Sequence, residues 1–413
     1  MKLLWLSHFV PYPATGHGAL QRGHHLLKEA ARRHEVHVVA LSPPAAFRGT
    51  RDIECAVEEL SSFASSVKAF PLPTDRCGVR RGLSTLAACV RPAPFWERWY
   101  RSGAMREHLH RLTRSVRFDL VHLDIEFLAP YLDTIPGLPV VLNHHNVESH
   151  LLWRRAAAQH GRLARAFFAR EARKARALER AVVPRVAWNI VVSDLDGERL
   201  RELTSCANIT TVANGVDVEF FQATHAASGD ARSLVFAGGM DWFPNRDAIT
   251  FFVSDLWPAL VRDEPQRKMT VIGRNPPPAV LAAARDSRLR ALGFVDDVRP
   301  HLEAASIYVC PMRVGGGTRL KILDALAMSR AIVSTEIGVE GLGLTDGEHY
   351  LRAHTPREFV SQIRRLEAEP ALRQRLGESG RALVVRRYSW PRVAESLEQA
   401  YAKARRTSPA AAS

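Results

Sequence analysis

The chain has 413 residues, 46% of them apolar, and a formal charge of +14. That length suggests two or three domains with full cores, and the absence of any run of about 18 apolar residues excludes a membrane-spanning helix. The basic charge admits nucleic acid, anionic membrane or anionic substrates as partners; without zinc-finger spacing, an aromatic RNP-like strand or a basic heptad, nucleic acid is not expected. Five scattered cysteines, Cys55, Cys77, Cys89, Cys206 and Cys310, show no metal-ligand spacing and read as reduced thiols of a cytosolic protein.

Taken in order, Lys2–Ser7 reads as a buried strand, its apolar run too short for a signal peptide. The loop after it carries Gly16 and Gly18 in a GHG triplet. A helical pattern then runs from Ala19 to Arg33, and a strand from Val36 to Leu41. This is a βαβ opening with a glycine loop. The loop lacks the full dinucleotide fingerprint, and no acidic residue closes the second strand. A dinucleotide is therefore disfavoured, and close passage of the loop by a substrate is expected instead. Val67–Leu72 reads as a strand. Residues 91–112, RPAPFWERWYRSGAMREHLHRL, read as a helical hairpin near the surface. Its Phe95, Trp96, Trp99 and Tyr100 would pack as an amphipathic face or, less commonly for such a pattern, meet an acceptor or a membrane.

Phe118–Asp124 is a strand, and the next begins at Pro139 and ends in NHHNVES. Carboxyl ends of strands face the ligand crevice of an open parallel sheet, so His144, His145, Asn146 and Glu148 fall where chemistry is done. No third ligand is spaced to make the histidines a metal site. From Arg154 to Arg185 the chain is helical and carries ten Lys or Arg against Glu171 and Glu179. That is a solvated helix face or a lipid-contacting one. Asp194 and Asp196 form a DxD triplet that reads as a helix start capped by Ser193 or Asp194. After the polar run Ala223–Arg232 a second α/β series begins, with Gly238 and Gly239 closing its first strand.

The segment Cys310–Leu342 is strand, glycine loop, amphipathic helix (about Thr318–Met328) and strand, a right-handed crossover unit. Gly315, Gly316 and Gly317 let backbone approach a ligand, and the helix N-terminus offers free N–H groups. Arg319 and Lys321 in the first turn oppose the helix dipole, a conflict that an anion at the loop would resolve.

These motifs in this order resemble the GT-B glycosyltransferases of retaining family 4. They are the GHG loop, HHNVES (His144–Ser149), VVS (Val191–Ser193), NGVD (Asn214–Asp217), GFVDDV (Gly293–Val298), the stretch Pro311–Thr335 and YSWPRVAESLEQAY (Tyr388–Tyr401). MDWFPN (Met240–Asn245) with GGGTRLK is similar to a subgroup of bacterial polysaccharide transferases. The resemblance covers nearly the whole chain. It implies an α/β, GT-B fold of two Rossmann-like domains facing an interdomain cleft. Residues 1–213, completed by a helix at 390–413, would bind the acceptor, and 214–389 the nucleotide-sugar donor. The implied activity is transfer of a hexosyl group, with retention, from a UDP- or GDP-sugar to a growing glycan or lipid-linked acceptor in exopolysaccharide or cell-surface polysaccharide synthesis. No cofactor and no metal are implied, because protein cations and helix termini neutralise the leaving diphosphate. The setting implied is the cytoplasm, with an anionic membrane surface at its inner face as a further partner.

By the same resemblance His145 would hydrogen-bond the donor sugar and, with Arg319 and Lys321, form the catalytic set. The substrate-binding set would be Gly16, Gly18, Asn146, Glu148, Gly238, Gly239, Asn245, Arg274, Val295, Gly315, Gly316, Gly317, Thr318 and Asp324. Two departures stand out. Of the family's pair of glutamates around the glycine loop, the first is Gly316 here and the second is Asp324, left to receive the ribose hydroxyls. The family's phosphate-gripping Arg and Lys are Gly239 and Asn245. Arg319 and Lys321, with Arg274 behind them, are the cations left for that task. Loss of those side chains also leaves open a non-catalytic nucleotide-sugar binder, and an epimerase of the same fold is a third reading.

Overall fold

The computed structural model describes residues 1–13, 18–42, 50–72, 91–97, 99–159, 161–223 and 230–407. The chain divides into two compact units, Met1–Ala213 with Val393–Ser413, and Asn214–Arg392. Each is built on a parallel sheet. The first contains β1 (Lys2–Ser7), β2 (Glu35–Ser42), β3 (Ser66–Pro71), β4 (Leu120–Leu123), β5 (Val140–His144), β6 (Trp188–Val191) and β7 (Ile209–Thr211), in the order β3-β2-β1-β4-β5-β6-β7. The second contains β8 (Ser233–Ala237), β9 (Lys268–Ile272), β10 (Leu289–Gly293), β11 (Ile307–Cys310), β12 (Ala331–Ser334) and β13 (Leu351–Arg352), in the order β10-β9-β8-β11-β12-β13. Central strands such as LVHL in β4 and IYVC in β11 are buried at every residue, as a sheet covered by helices on both faces requires.

In both sheets the strand order reverses beside the first strand. β1 lies between β2 and β4, and β8 between β9 and β11. A crevice opens outside the carboxyl ends of the strands at such a reversal. In the first sheet the ends of β1 and β4 meet there, with Leu6 opposite Leu123. In the second, Val235 of β8 stands opposite Tyr308 of β11.

Three expectations are corrected. Residues 91–97, 99 and 100 lie in turns and bends rather than the first arm of a hairpin, and one helix follows, Gly103–Ser115. Pro92 and Pro94 lack the N–H that a helix interior needs. The aromatics there turn inward: Trp96 is buried with Leu152, Ala172 and Ala175, and Phe95, Trp99 and Tyr100 pack against that cluster. The basic stretch is two helices, Glu148–Ala157 and Arg162–Val182, and not all of its charges are solvated. Lys174 is buried on Glu171, Nζ to Oε1 at 2.6 Å, while the other oxygen of Glu171 accepts from the Phe95 amide. Gly18 opens the helix Gly18–Ala31 instead of lying in the loop, and Gly16 falls outside the described residues. Ser193 caps the helix Asp194–Thr204, its Oγ accepting from Asp196 N.

The helix Trp390–Thr407 runs into the first unit, whose core it completes. Tyr401 is buried, and its hydroxyl hydrogen-bonds His122 Nδ1 at 2.9 Å. The His122 ring stacks on Trp5 with centroids 3.7 Å apart. Burial takes the His122 pKa to about 3, so the ring is neutral. Removing the hydroxyl while keeping the ring leaves a buried imidazole nitrogen unsatisfied, which costs about 1–3 kcal/mol. Tyr401→Phe should therefore lower the denaturant midpoint of the intact chain by that equivalent, and an unchanged midpoint would refute the contact's role.

Candidate functional site

In the second unit four neighbouring strand ends bring most of the expected donor-binding residues to one edge of the sheet. β8 leads into Gly238 and Gly239, β9 into Gly273 and Arg274, β10 into Phe294 and Val295, and β11 into the glycine loop. The first two ends touch so closely that a Cβ on Gly273 (φ +147°) would lie 2.0 Å from the Gly238 carbonyl oxygen. Arg274 is exposed, with its guanidinium over the Phe294 ring at 5.5 Å. Gly317 has φ +62°, a left-handed backbone that glycine adopts without strain. Thr318 Oγ1 accepts from Asn214 Nδ2 at 2.7 Å.

The helix after the loop begins at Leu320, later than expected, with Arg319 as its N-cap. The Arg319 side chain is buried and turned back. Nη1 donates to the carbonyls of Gly316 (2.6 Å) and Gly317, and Nη2 to Ile337 O at 3.0 Å. Its charge therefore braces the glycine loop. Lys321 points the other way, towards β8. Its Nζ donates to Asn245 Oδ1 at 2.7 Å and lies 4.5 Å from the centre of the Phe236 ring. Asn245 in turn donates from Nδ2 to Gly239 O at 2.9 Å. Burial lowers the Lys321 pKa to about 8. Asp324, on the same helix, is buried, and burial raises its carboxyl to about 8.

In the first unit the reversal between β1 and β4 holds a cluster that motif reading did not find. Asp124 follows β4, and both its oxygens accept. Ser7 Oγ and His8 Nδ1 lie 3.0 Å from Oδ2, and Asn143 Nδ2 and His145 Nε2 lie 3.2 Å from Oδ1. Burial would raise the carboxyl, but His145 and His8 outweigh it and hold Asp124 well below the ordinary carboxylate range. His8, Asp124 and His145 are the one trio of metal-capable side chains with ligand atoms within 4.8 Å of each other among the described residues. His8 and Asp124 thus stand beside His145 in space, while His144, the other histidine of the pair, is not among them. The Asn143 amide donor also faces the trio, because Arg22 holds the Asn143 oxygen at 2.9 Å. An N–H aimed into that space suits a hydrogen-bonded anion better than a cation. The signal for His8 and Asp124 was available: each is the residue immediately after a strand at the switch point.

The rest of the HHNVES motif faces inward. His144 is buried, with Nε2 on Asn189 Oδ1 at 3.0 Å and Nδ1 3.7 Å from Glu126 Oε2; burial takes its pKa to about 4. Asn146 Nδ2 donates to Glu148 Oε1 at 3.0 Å. Glu148 is buried near Glu126 and Glu179, and burial raises Glu148 and Glu179 to about 7 and Glu126 well above its usual value. Of the motif, only His145 joins the Asp124 cluster by its side chain.

Two Rossmann-like parallel sheets in one chain, each with its polar residues at a strand-order reversal, define the GT-B fold. The chain belongs to the family 4, group 1 glycosyltransferases: the model "Glycosyltransferase Family 4" matches residues 18–220, and "Glycosyl transferases group 1" matches residues 231–369. It is 25% identical over 230 residues to the phosphatidyl-myo-inositol mannosyltransferase of Mycobacterium tuberculosis, over 52% of this chain and 60% of that protein. The chain thus spans about three fifths of the length of the curated relatives it first matches. Its fold is similar to sucrose-phosphate synthase from Thermosynechococcus elongatus (TM-score 0.71, 15% identity, 98% of this chain and 99% of that one). It is also similar to Anabaena Alr3699/HepE solved with UDP and glucose (TM-score 0.65, 12% identity, 97% and 99%).

The buried Asp324 carboxyl has a direct stability consequence. Its folded pKa of about 8 exceeds that of an unfolded aspartate, so the folded state binds the proton more tightly. Stability is then greatest below the unfolded value and falls as pH rises towards 8. Asp324→Asn lacks that dependence. The melting temperature of the variant should rise relative to wild type between pH 5 and pH 8.5, by about 2–4 °C per kcal/mol. A constant gap over that range would show that the carboxyl stays ionised when buried.

Proposed function

We propose that this chain transfers a sugar from a nucleotide-diphosphate sugar to a hydroxyl acceptor with retained anomeric configuration. The observation that carries this reading is the 2.7 Å contact between Lys321 and Asn245. By family resemblance position 245 holds a lysine that grips the diphosphate; here it is asparagine. The ammonium of Lys321 arrives at the same place from the helix after the glycine loop. One cation is exchanged for another across adjoining elements, and the anion site keeps its charge. Arg274 is exposed nearby as a second cation, while Arg319 shapes the loop whose backbone approaches the donor.

The test is a donor screen by mass spectrometry with UDP- and GDP-sugars, followed by Lys321 variants. Lys321→Met should lose about 2–4 kcal/mol of transition-state stabilisation in kcat/KM. Adding Asn245→Lys to that variant should restore a large part of the loss. If Lys321→Met keeps wild-type kcat/KM, the diphosphate is held elsewhere. The pH dependence has a definite sign: an amine with a pKa of about 8 loses its charge above that value, so UDP affinity measured by calorimetry should fall as pH passes 8.

For the acceptor we favour a growing glycan or a lipid-linked sugar presented at the cytoplasmic face of a membrane, in polysaccharide synthesis. Among the described residues no helix is long and apolar enough to cross a membrane. The helices Glu148–Ala157 and Arg162–Val182 instead carry exposed Arg162, Arg165, Arg170, Arg173 and Arg176 together with Trp153 (43% exposed) and Leu163 (89% exposed). Arginines near an anionic surface contribute about 1 kcal/mol each, and exposed apolar side chains suit the interface. Trp96 is buried and Phe95, Trp99 and Tyr100 pack against its cluster, so they have no part in this. The chain should float with vesicles of phosphatidylglycerol and phosphatidylcholine, lose binding as salt is raised, and lose it when Arg165, Arg170 and Arg173 become Glu. Equal flotation with pure phosphatidylcholine would remove the membrane claim.

A further inference from the structure

Three buried carboxyl groups in the first unit have no task in the reading above. We propose that Glu126, Glu148 and Glu179, together with His144, form a proton-operated latch. As carboxylic acids they hold the helices Glu148–Ala157 and Arg162–Val182 against the sheet, and on ionising they release that pair. The inference does not depend on the transferase reading.

The residues converge from four elements. Glu126 opens the 3-10 turn Glu126–Thr134 after β4, and His144 ends β5. Glu148 opens one helix of the pair, and Glu179 lies late in the other. All four are more than nine-tenths buried. Glu179 also performs a capping task. Val147, the N-cap of the helix Glu148–Ala157, makes no side-chain bond, and the Ser149 N–H donates instead to Glu179 Oε1 at 3.0 Å. One carboxyl thus joins the start of one helix to the end of the next.

Donors are missing from this cluster. Both oxygens of Glu126, Oε2 of Glu179 and Nδ1 of His144 are buried without a hydrogen-bond partner among the described residues. His144 Nε2 lies 3.0 Å from Asn189 Oδ1, and the Asn189 amide nitrogen donates elsewhere, to Val183 O and Asn208 O. The ring proton therefore sits on Nε2, and Nδ1 is a bare acceptor 3.7 Å from Glu126 Oε2. Acceptors buried without donors each forfeit a hydrogen bond. A proton on Glu126 and one on Glu179 turn two of these acceptors into donors, and the Glu126 proton then faces the lone pair of His144.

The surrounding charges act in the same direction. Burial comes first, and Glu148 and Glu179 repel Glu126 while Glu179 repels Glu148. Arg176, on the same helix as Glu179, offsets a small part of this for Glu179. His145 disfavours a charge on His144, which burial keeps neutral. Glu148 and Glu179 are raised to about 7, and Glu126 well above its ordinary value. Each binds its proton more tightly in the folded state, so its contribution is complete below the ordinary carboxylate range and is lost as pH rises through about 7. The outer faces of the same two helices expose Trp153, Arg165, Arg170 and Arg173. The latch therefore governs how firmly that surface is held.

Hydrogen exchange read by mass spectrometry on the full chain at pH 5.5 and pH 8.0, with labelling times scaled for intrinsic exchange, tests this. Protection of peptides from 148–157 and 171–182 should fall at least about tenfold between the two, measured against the helix Gly18–Ala31 of the same unit. Glu126→Gln and Glu179→Gln cannot ionise and bring their own N–H donors, so each should reduce the fall. With all three glutamates changed to Gln, the fall should stay within about threefold. Equal wild-type protection at both pH values, or a fall shared in full by Gly18–Ala31, overturns the latch. So does a fall of wild-type size in every Gln variant that folds. If no Gln variant folds, the wild-type comparison decides alone.

Discussion

A guanidinium removed from water must be ringed by acceptors, and the first unit is arranged around one. Arg22 in the helix Gly18–Ala31 is fully buried; burial brings its pKa to about 10, and it remains charged. It donates to Asn143 Oδ1 and, at 2.8 Å each, to the carbonyls of Val212 and Ala213. The first helix is thereby tied to β5 and to the chain leaving β7. The same bonds orient Asn143. With its oxygen taken by Arg22, its amide nitrogen faces Asp124. The settings of His8 and His145 thus depend on a charge that has no hydrogen bond to either ring.

The second sheet solves a related problem with opposite signs. Lys321 and Asp324 lie on one short helix and both lose water, and burial moves each towards its neutral form. Below pH 8 the carboxyl is then neutral while the amine still holds its proton, so the pair carries a net positive charge. An arriving anion changes the balance for the amine alone, because it favours the ammonium and does nothing for a carboxylate. The neutral Asp324 thus leaves the charge of Lys321 uncompensated by its own helix.

Much of the fold was legible because its signals are local. Apolar runs bounded by glycine or polar turns marked the strands, and the spacing of Leu320, Leu323 and Ala327 marked the helix that follows the glycine loop. Prolines at 92 and 94 and the inward turn of the aromatics were harder to read, since composition cannot distinguish an exposed tryptophan from a packed one. The site was legible where residues cluster in sequence, as with Gly315–Gly317 or His145. It was not where partners are far apart: His8 and Asp124 are separated by 116 residues, and only strand order brings them together. The role of Arg319 was missed for another reason. Its charge suggested a ligand, but three carbonyls of the chain meet it instead.

The docking of Tyr401 on His122 and Trp5 bears on the order in which the molecule can be made. Domains emerging from the ribosome fold as units, the N-terminal part first. Here Trp5 and His122 are synthesised early, and the hydroxyl that satisfies His122 arrives almost 280 residues later. The unit Asn214–Arg392 is continuous in sequence and can close on itself before then. The first unit must wait with an open seam along β1 and β4. A chain ending at residue 392 would therefore hold a complete second unit and an unfinished first one, with the apolar face meant for the last helix open to chaperones.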